Sequence, residues 1–308
     1  MTDNWKLGLT FALITTVMWG LLPLALKEVL AVMDPLTISW YRFSISALIA
    51  LLWYGHHSGP ALKSLLARPH ARWSALAVLG LCGNYLLYIW GLDHTNPGAS
   101  QILIQLAPFL LLIASVVFLG ERLHAWQWLG VAGFSVGMLL FFHQRIAASV
   151  PTEPGYALGA LLLVGAAIVW TGYGLAQKKL LSHFHAKDIL LLICLGGSVL
   201  LLPLAQPAQA MALTSQQLLL LLFAGVNTIV AYGAFGLAMS YWDASRVSAV
   251  IPLTPLFTLL FTYAFNHFFG LDIIAEPLDW LGGMGAVLVV LGSGLAAMPR
   301  QRVSTGQA

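Results

Sequence analysis

Charge is what this chain of 308 residues has least of. Only 8% of it is Asp, Glu, Lys or Arg, where a soluble domain carries roughly a quarter. That scarcity excludes a water-soluble globular protein. The few charges bound long uncharged runs over 7–26, 73–92, 94–120, 123–144, 154–177, 189–242, 247–271 and 280–299. About 20 mainly apolar residues cross the hydrocarbon core as a helix. The run 189–242 holds two such crossings divided by the polar stretch 206–217, and 35–54 supplies another, interrupted only by Arg42. The expectation is an all-α polytopic membrane protein with ten transmembrane helices, embedded in a lipid bilayer.

Other scarcities narrow the chemistry. The two cysteines, Cys82 and Cys194, fall inside expected spans and read as small buried apolar side chains rather than a disulfide. His56–His57 and His183-x-His185 have no third or fourth ligand close by in sequence, so no metal is expected. Neither a nucleotide-binding loop nor a catalytic triad is visible, so the reading is a non-enzyme without cofactors. No Asp or Glu lies centrally in any expected span, although Asp93 and Asp243 sit at span ends. A mid-membrane carboxylate is the usual means of holding an organic cation and exchanging it for protons. Its lack argues against a cationic-drug antiporter.

The formal charge of +3 does not indicate a nucleic-acid partner, because of where the basic residues fall. Ten spans place eleven of the fourteen Lys and Arg on one side. This is the positive-inside bias and puts both termini in the cytoplasm. The first apolar run is too long for a signal-peptide core and lacks a small-residue cleavage site, so it reads as an uncleaved span.

What the chain does contain, it contains twice. W-x-x-x-x-L-A-x-K runs from Trp19 to Lys27 and again from Trp170 to Lys178, 151 residues on. L-x-P-x-x-x-L-x-x-x-x-x-F runs from Leu106 and again from Leu253, and W-L-G-x-x-G begins at Trp128 and at Trp280. Two repeats follow, 1–145 and 152–300, with five spans each. An odd number of spans forces the second copy into the membrane with opposite polarity, the inverted arrangement recurrent among secondary transporters.

A transporter site belongs where helices are interrupted in matching positions of both halves. Pro108 in span 4, and Pro252 and Pro255 in span 9, meet that description; Pro23 interrupts span 1. A mid-helix proline frees the carbonyl four residues earlier, which in lipid must face protein or water. Polar side chains share faces around these kinks: Gln101 and Gln105 with Pro108, and Ser245 and Ser248 with Pro252. Asn84 and Tyr88 share a face of span 3, Asn227 and Tyr232 lie in span 8, and Trp19, Trp170, Tyr173 and Gln177 lie in spans 1 and 6. Buried amides are costly without partners and turn inward; as a group they are read as lining a cavity rather than gluing helices. Arg42 is the one charge within a span. It costs about 2.5–3.5 kcal/mol centrally, so it requires an anionic substrate group, kink carbonyls, or Glu28 and Asp34 as partner. A structural role is placed first. Gly130, Gly133, Gly137, Gly282, Gly283 and Gly285 allow close helix approach, internal packing being preferred to a dimer contact; monomer and homodimer both stay open. Trp5, Trp40, Trp53, Trp73, Trp126, Trp128, Trp242 and Trp280 read as interfacial anchors.

Over 93–142, L-D-H-T-N-P-G-A-S-Q-I-L-I-Q-L-A-P-F, then F-L-G-E-R-L, then W-L-G-V-A-G-F-S-V-G, the chain resembles the fourth and fifth helices of EamA-type proteins of the drug/metabolite transporter superfamily. Trp19-Gly20 and Trp40 to Phe43 fit the same family. The resemblance covers both repeats and implies ten helices, an inverted duplication, a central cavity and, for many members, metabolite export. The second copy has no counterpart of Gly120-Glu121-Arg122, which reads as a cytoplasmic helix-end pair. Amides, aromatic rings and one arginine suit a neutral or zwitterionic solute with an apolar part. The expectation is therefore an inner-membrane secondary transporter that exports small metabolites such as neutral or aromatic amino acids by alternating access. An exchanger of phosphorylated or nucleotide-linked metabolites is the nearest rival and needs two or more cavity cations, with Arg42 and Lys27 the candidates. A channel or membrane-embedded enzyme is more distant, with no pore ring or catalytic constellation in view.

Overall fold

The computed structural model describes residues 4–94, 103–144, 155–269 and 279–298. Every long element is a helix: α1 (Trp5–Leu30), α2 (Pro35–Ala50), α3 (His56–Leu66), α4 (Ala71–Asp93), α5 (Leu106–Leu119), α6 (Ala125–Phe141), α7 (Tyr156–Leu180), α8 (Ala186–Leu201), α9 (Ser215–Tyr241), α10 (Ala244–Val250), α11 (Thr254–Phe269) and α12 (Trp280–Ala297). A π turn over Leu51–Gly55 joins α2 to α3, and a 3-10 turn over Ile251–Leu253 joins α10 to α11.

Local chemistry sets several of these boundaries. Asp34 opens α2 by accepting from the N–H groups of Leu36 and Thr37 at 3.0 Å each, with Pro35 in the first helical position, where its missing donor costs nothing. Thr214 and Gln217 form a capping box at the start of α9. Gly120 ends α5 at φ 69°, a left-handed closure that glycine adopts without a Cβ clash.

Among the described residues, seven helices are long and apolar enough to cross a membrane: α1, α2 run on through α3, α4, α7, α9, α10 run on into α11, and α12. The protein is thus all-α and polytopic. The other three expected spans are shorter among the described residues. α5 has 14 residues, α6 has 17 and α8 has 16; α5 starts late because the chain turns at Gln105. α3 continues the second span beyond the π turn as far as Leu66.

The closest helix pairs each join the first half of the chain to the second: α6 with α12, α4 with α7, α1 with α9 and α2 with α8. Exchanging α1 for α7, α2 for α8, α4 for α9, α5 for α10–α11 and α6 for α12 maps this set of pairs onto itself. It also maps α5·α7 onto α1·α11 and α2·α9 onto α4·α8. The α6–α12 pair is antiparallel and rests on glycines. A Cβ on Gly130 would lie 2.7 Å from the Gly292 carbonyl oxygen, and one on Gly137 2.8 Å from that of Gly285. These glycines therefore serve internal packing, as close backbone approach in lipid requires. Cys82 and Cys194 are both buried free thiols.

Candidate functional site

An aromatic cluster forms where the two halves meet. Trp19 of α1 stands edge-on to Trp170 of α7 (5.9 Å between ring centroids) and to Tyr232 of α9 (5.3 Å). Phe235 lies 5.7 Å from Trp19 and 5.4 Å from Trp170, and Tyr173 lies 5.8 Å from Tyr232. Edge-to-face geometry suits the ring quadrupoles. Trp170, Tyr173, Tyr232 and Phe235 are buried and Trp19 is half-buried, so Trp19 is the cluster's open edge.

Beside this cluster lies Arg42. One helical turn pattern carries it about 12 Å along α2 from Asp34, well inside the apolar layer, and it is 6% exposed. Its Nε donates to Thr228 Oγ1 of α9 at 3.0 Å, and its Nη2 donates to the Tyr85 hydroxyl of α4 at 2.6 Å. The guanidinium carbon also stands 4.4 Å over the Tyr85 ring. Tyr85 continues to Tyr232 at 6.4 Å and to Phe43 at 4.9 Å. Arginine, rings and hydroxyls are thus one contiguous group drawn from α1, α2, α4, α7 and α9.

The expected site residues divide into three sets. Trp19, Arg42, Trp170, Tyr173 and Tyr232 come together in this group. Asn84 and Asn227 join helix pairs: Asn84 Nδ2 donates to the Ala166 carbonyl of α7 at 3.0 Å, and Asn227 Nδ2 donates to the Met18 carbonyl of α1 at 2.6 Å. Asn227 keeps its buried Oδ1 without a donor among the described residues. Tyr88 lies one turn beyond Asn84, half-buried, and is not among the ring contacts of the described residues. Gln105 and Ser248 sit at the two interruptions in α5 and α10–α11; Gln105 Oε1 and Ser248 Oγ are buried without a hydrogen-bond partner among the described residues. Gln101 lies outside the described residues. Sequence reasoning did not single out Tyr85, Thr228 or Phe235. Their only sequence signal is adjacency: Tyr85 follows Asn84, Thr228 follows Asn227, and Phe235 is one turn after Tyr232.

The end of the bundle holding the start of α1 and the end of α12 is closed by an elbow at Trp242–Asp243. Trp242, expected at the membrane interface, is instead 1% exposed. Its indole packs over Gly8, lies tilted against Trp5 with ring centroids 6.1 Å apart and receives the Arg246 guanidinium at 4.6 Å. Lys178 Nζ donates to the carbonyls of Met239 (2.6 Å) and Trp242 (2.5 Å), satisfying the end of α9 with a cation. Glu121 accepts from the N–H groups of Ala244 (2.8 Å) and Ser245 (2.9 Å), so the residue expected to pair with Arg122 caps a helix of the other half. At the other end the segment after α8 docks on the α1–α2 turn. Gln209 Oε1 accepts from the Asp34 N–H at 2.8 Å, the Gln206 N–H donates to Thr37 Oγ1 at 2.9 Å, and the Tyr41 hydroxyl donates to the Pro207 carbonyl at 2.8 Å.

Known proteins match this arrangement along nearly its whole length. The model of the EamA-like transporter family matches twice, over residues 6–143 and 157–298. A transporter of Haemophilus influenzae is 40% identical over 294 residues, covering 95% of each chain. The Escherichia coli K12 inner membrane transporter YhbE is 38% identical over 303 residues, covering 97% of this chain and 93% of its own. A probable amino-acid metabolite efflux pump of the same organism is 25% identical over 297 residues, with 91% of each chain covered. Two family matches that together span the chain, on a polytopic helical fold with no catalytic motif, leave one assignment: this chain belongs to the EamA-like transporter family.

Proposed function

We propose that this chain is a secondary transporter that exports small metabolites such as neutral or aromatic amino acids by alternating access. The observation that carries this reading is the aromatic cluster with Arg42, assembled from both halves of the chain at their junction. Rings offer an apolar solute a broad contact, and a few placed polar groups orient it, as in small-molecule sites generally. The name carried by the Escherichia coli efflux pump supports the amino-acid class, and the name carried by YhbE supports the inner membrane.

In this reading the chain is built as two inverted five-helix units, 1–145 and 152–300, with ten spans. The exchange symmetry of the helix pairs supports it. So does direction: short turns make α2 reverse α1 and α4 return parallel to α1. α7 runs antiparallel to α4, with Gly80 beside Val169 and Gly91 beside Gly159, and so runs opposite to α1. The inverted copies would rock about the cluster, with α5 and α10–α11 interrupted near it as transporter helices are. The basic-residue bias puts both termini, and with them the Trp242–Asp243 elbow, on the cytoplasmic side.

The test is flux in proteoliposomes over a panel of amino acids, organic acids and phosphorylated metabolites, with and without a pH gradient. Saturable movement of amino acids is expected. Ion conductance with no saturable solute flux would overturn the reading in favour of a channel, and selective flux of the phosphorylated members would favour the exchanger.

A further inference from the structure

Among the described residues Arg42 has no acidic partner within ion-pair distance. Of the partners open to it, the acidic ones are engaged elsewhere or distant. Asp34 turns its carboxylate to the N–H groups of Leu36 and Thr37 and to the Thr37 hydroxyl, and Glu28 is exposed at the end of α1. Its hydrogen bonds go to two neutral hydroxyls, not to kink carbonyls. The ion pair between His143 and Asp279, at 3.1 Å, does not involve it. A guanidinium at this depth, 6% exposed, carries a desolvation penalty that neutral partners only partly offset. A structural tie between α2, α4 and α9 could be made by a neutral side chain without that penalty. Charge here requires a further reason, and the adjacent aromatic cluster locates it.

We propose that Arg42 receives a carboxylate of the transported solute, with Tyr85 and Thr228 as positioning residues that fix the guanidinium plane. This rests on the transporter reading above and adds to it the chemical class: a solute with one negative group and an apolar or aromatic body. The bonds to Thr228 and Tyr85 occupy Nε and one Nη2 hydrogen, leaving N–H groups of the fork for an anion; a planar fork suits the two oxygens of a carboxylate. One cation balances one negative charge. A phosphate monoester, carrying nearly two charges at neutral pH, would keep one uncompensated in a medium of low polarity, which separates this solute class from phosphorylated metabolites. The rings reach Arg42 through Tyr85, so the body of the solute lies toward Tyr232 and Trp19 while its carboxylate faces α2. Asn227 Oδ1 and Gln105 Oε1, buried acceptors without a donor among the described residues, are of the type an ammonium group needs.

The experiment compares solutes that differ only in the negative group. Wild-type protein in proteoliposomes is given phenylalanine and tryptophan, their carboxamides, and phosphotyrosine. The acids are expected to move with a specificity constant at least about tenfold above the carboxamides, the scale of a lost charged hydrogen bond, and phosphotyrosine is expected to be excluded. Arg42→Gln should abolish the preference for acid over carboxamide, Arg42→Lys should keep part of it, and Tyr85→Phe should raise KM for the acids several-fold with less effect on kcat. Equal transport of acid and carboxamide by the wild type overturns the carboxylate assignment while leaving the transporter intact. A folded Arg42→Gln protein that still prefers the acid overturns it too. Should Arg42→Gln not fold, the wild-type comparison decides alone. Failure of the wild type to move or bind any amino acid overturns this assignment together with the function on which it rests.

Discussion

Glu121, two residues past the end of α5, holds the backbone N–H of Ser245 at 2.9 Å and that of Ala244 at 2.8 Å, at the start of α10. The contact is a charge-assisted N-terminal cap made across the chain's internal duplication. It also ties α5 to the elbow that Lys178 fastens from α7. Glu121→Gln retains the shape and loses the charge, so a stability loss of about 1–2 kcal/mol is expected, read as a lower melting temperature in detergent. If inward opening requires this elbow to part, the same variant should label faster at a cysteine placed at Ser245, buried at the elbow, by a reagent added from the cytoplasmic side. A variant that melts and labels like the parent would show the cap to be energetically idle.

The two amides predict different phenotypes. Asn84 makes one helix-joining bond to Ala166, and interhelical bonds of this kind average about 0.6 kcal/mol in membranes, up to about 1.7. Asn84→Leu is expected to lower stability by that amount and leave solute preference unchanged. Asn227 makes the same type of bond to Met18 and also buries an oxygen without a donor. Asn227→Leu should alter KM as well as stability. Equal effects of the two on KM would remove the distinction.

Glycines of one helix separate packing from exposure. Gly285 and Gly292 of α12 face the backbone of α6, whereas added Cβ atoms at Gly283 and Gly294 meet nothing within 4 Å. Gly292→Leu should misassemble or lose at least about 1–3 kcal/mol through overpacking, with Gly283→Leu near wild type in monomer or detergent-complex yield by size exclusion. A dimer formed through the open glycines would reverse the order, since Gly283→Leu would then change the elution volume.

Where α6 ends and α12 begins, the pair carries a pH-dependent tie. Asp279 accepts from the Gly282 N–H at 2.8 Å and lies 3.1 Å from His143 Nε2. The Gly282 N–H first, then the bonds from Gln144 and His143, hold its carboxyl below the ordinary value of 3.8. A depressed carboxyl contributes stability that is present above its unfolded value and lost as pH falls through the folded one. Melting temperature should therefore decline below about pH 4, and Asp279→Asn should flatten that decline by lowering the plateau above pH 5. An unchanged acid slope in the variant would assign the decline to other carboxylates.

Much of the framework was legible because lipid imposes simple rules. Uncharged runs mark helices, and the matched segments at Trp19 and Trp170 did fall on helices α1 and α7 that each pair with the third long helix of the opposite half. The prolines at 108 and 252 sit beside real interruptions, at Gln105 and over Ile251–Leu253. Less legible were features depending on two distant segments at once. Trp242 reads in sequence like any residue at a span end, yet Gly8, more than two hundred residues away, provides the flat surface that buries it. Tyr85 carries no pattern linking it to Arg42, because residues on different helices share no period.

The sequence by itself determined the class: its apolar runs and charge scarcity demand a helical membrane protein, and its repeated motifs demand two related halves, since helices in lipid satisfy their own backbone and need only length and apolarity. Only tertiary structure decided which polar groups meet. It joined Arg42 to Tyr85 and Thr228, diverted Asn84 to Ala166, and aimed Glu121 at Ala244 and Ser245. Those pairings depend on how helices cross and at what height, and crossing is governed by close contacts such as those of Gly130 and Gly292 rather than by any residue's own preference.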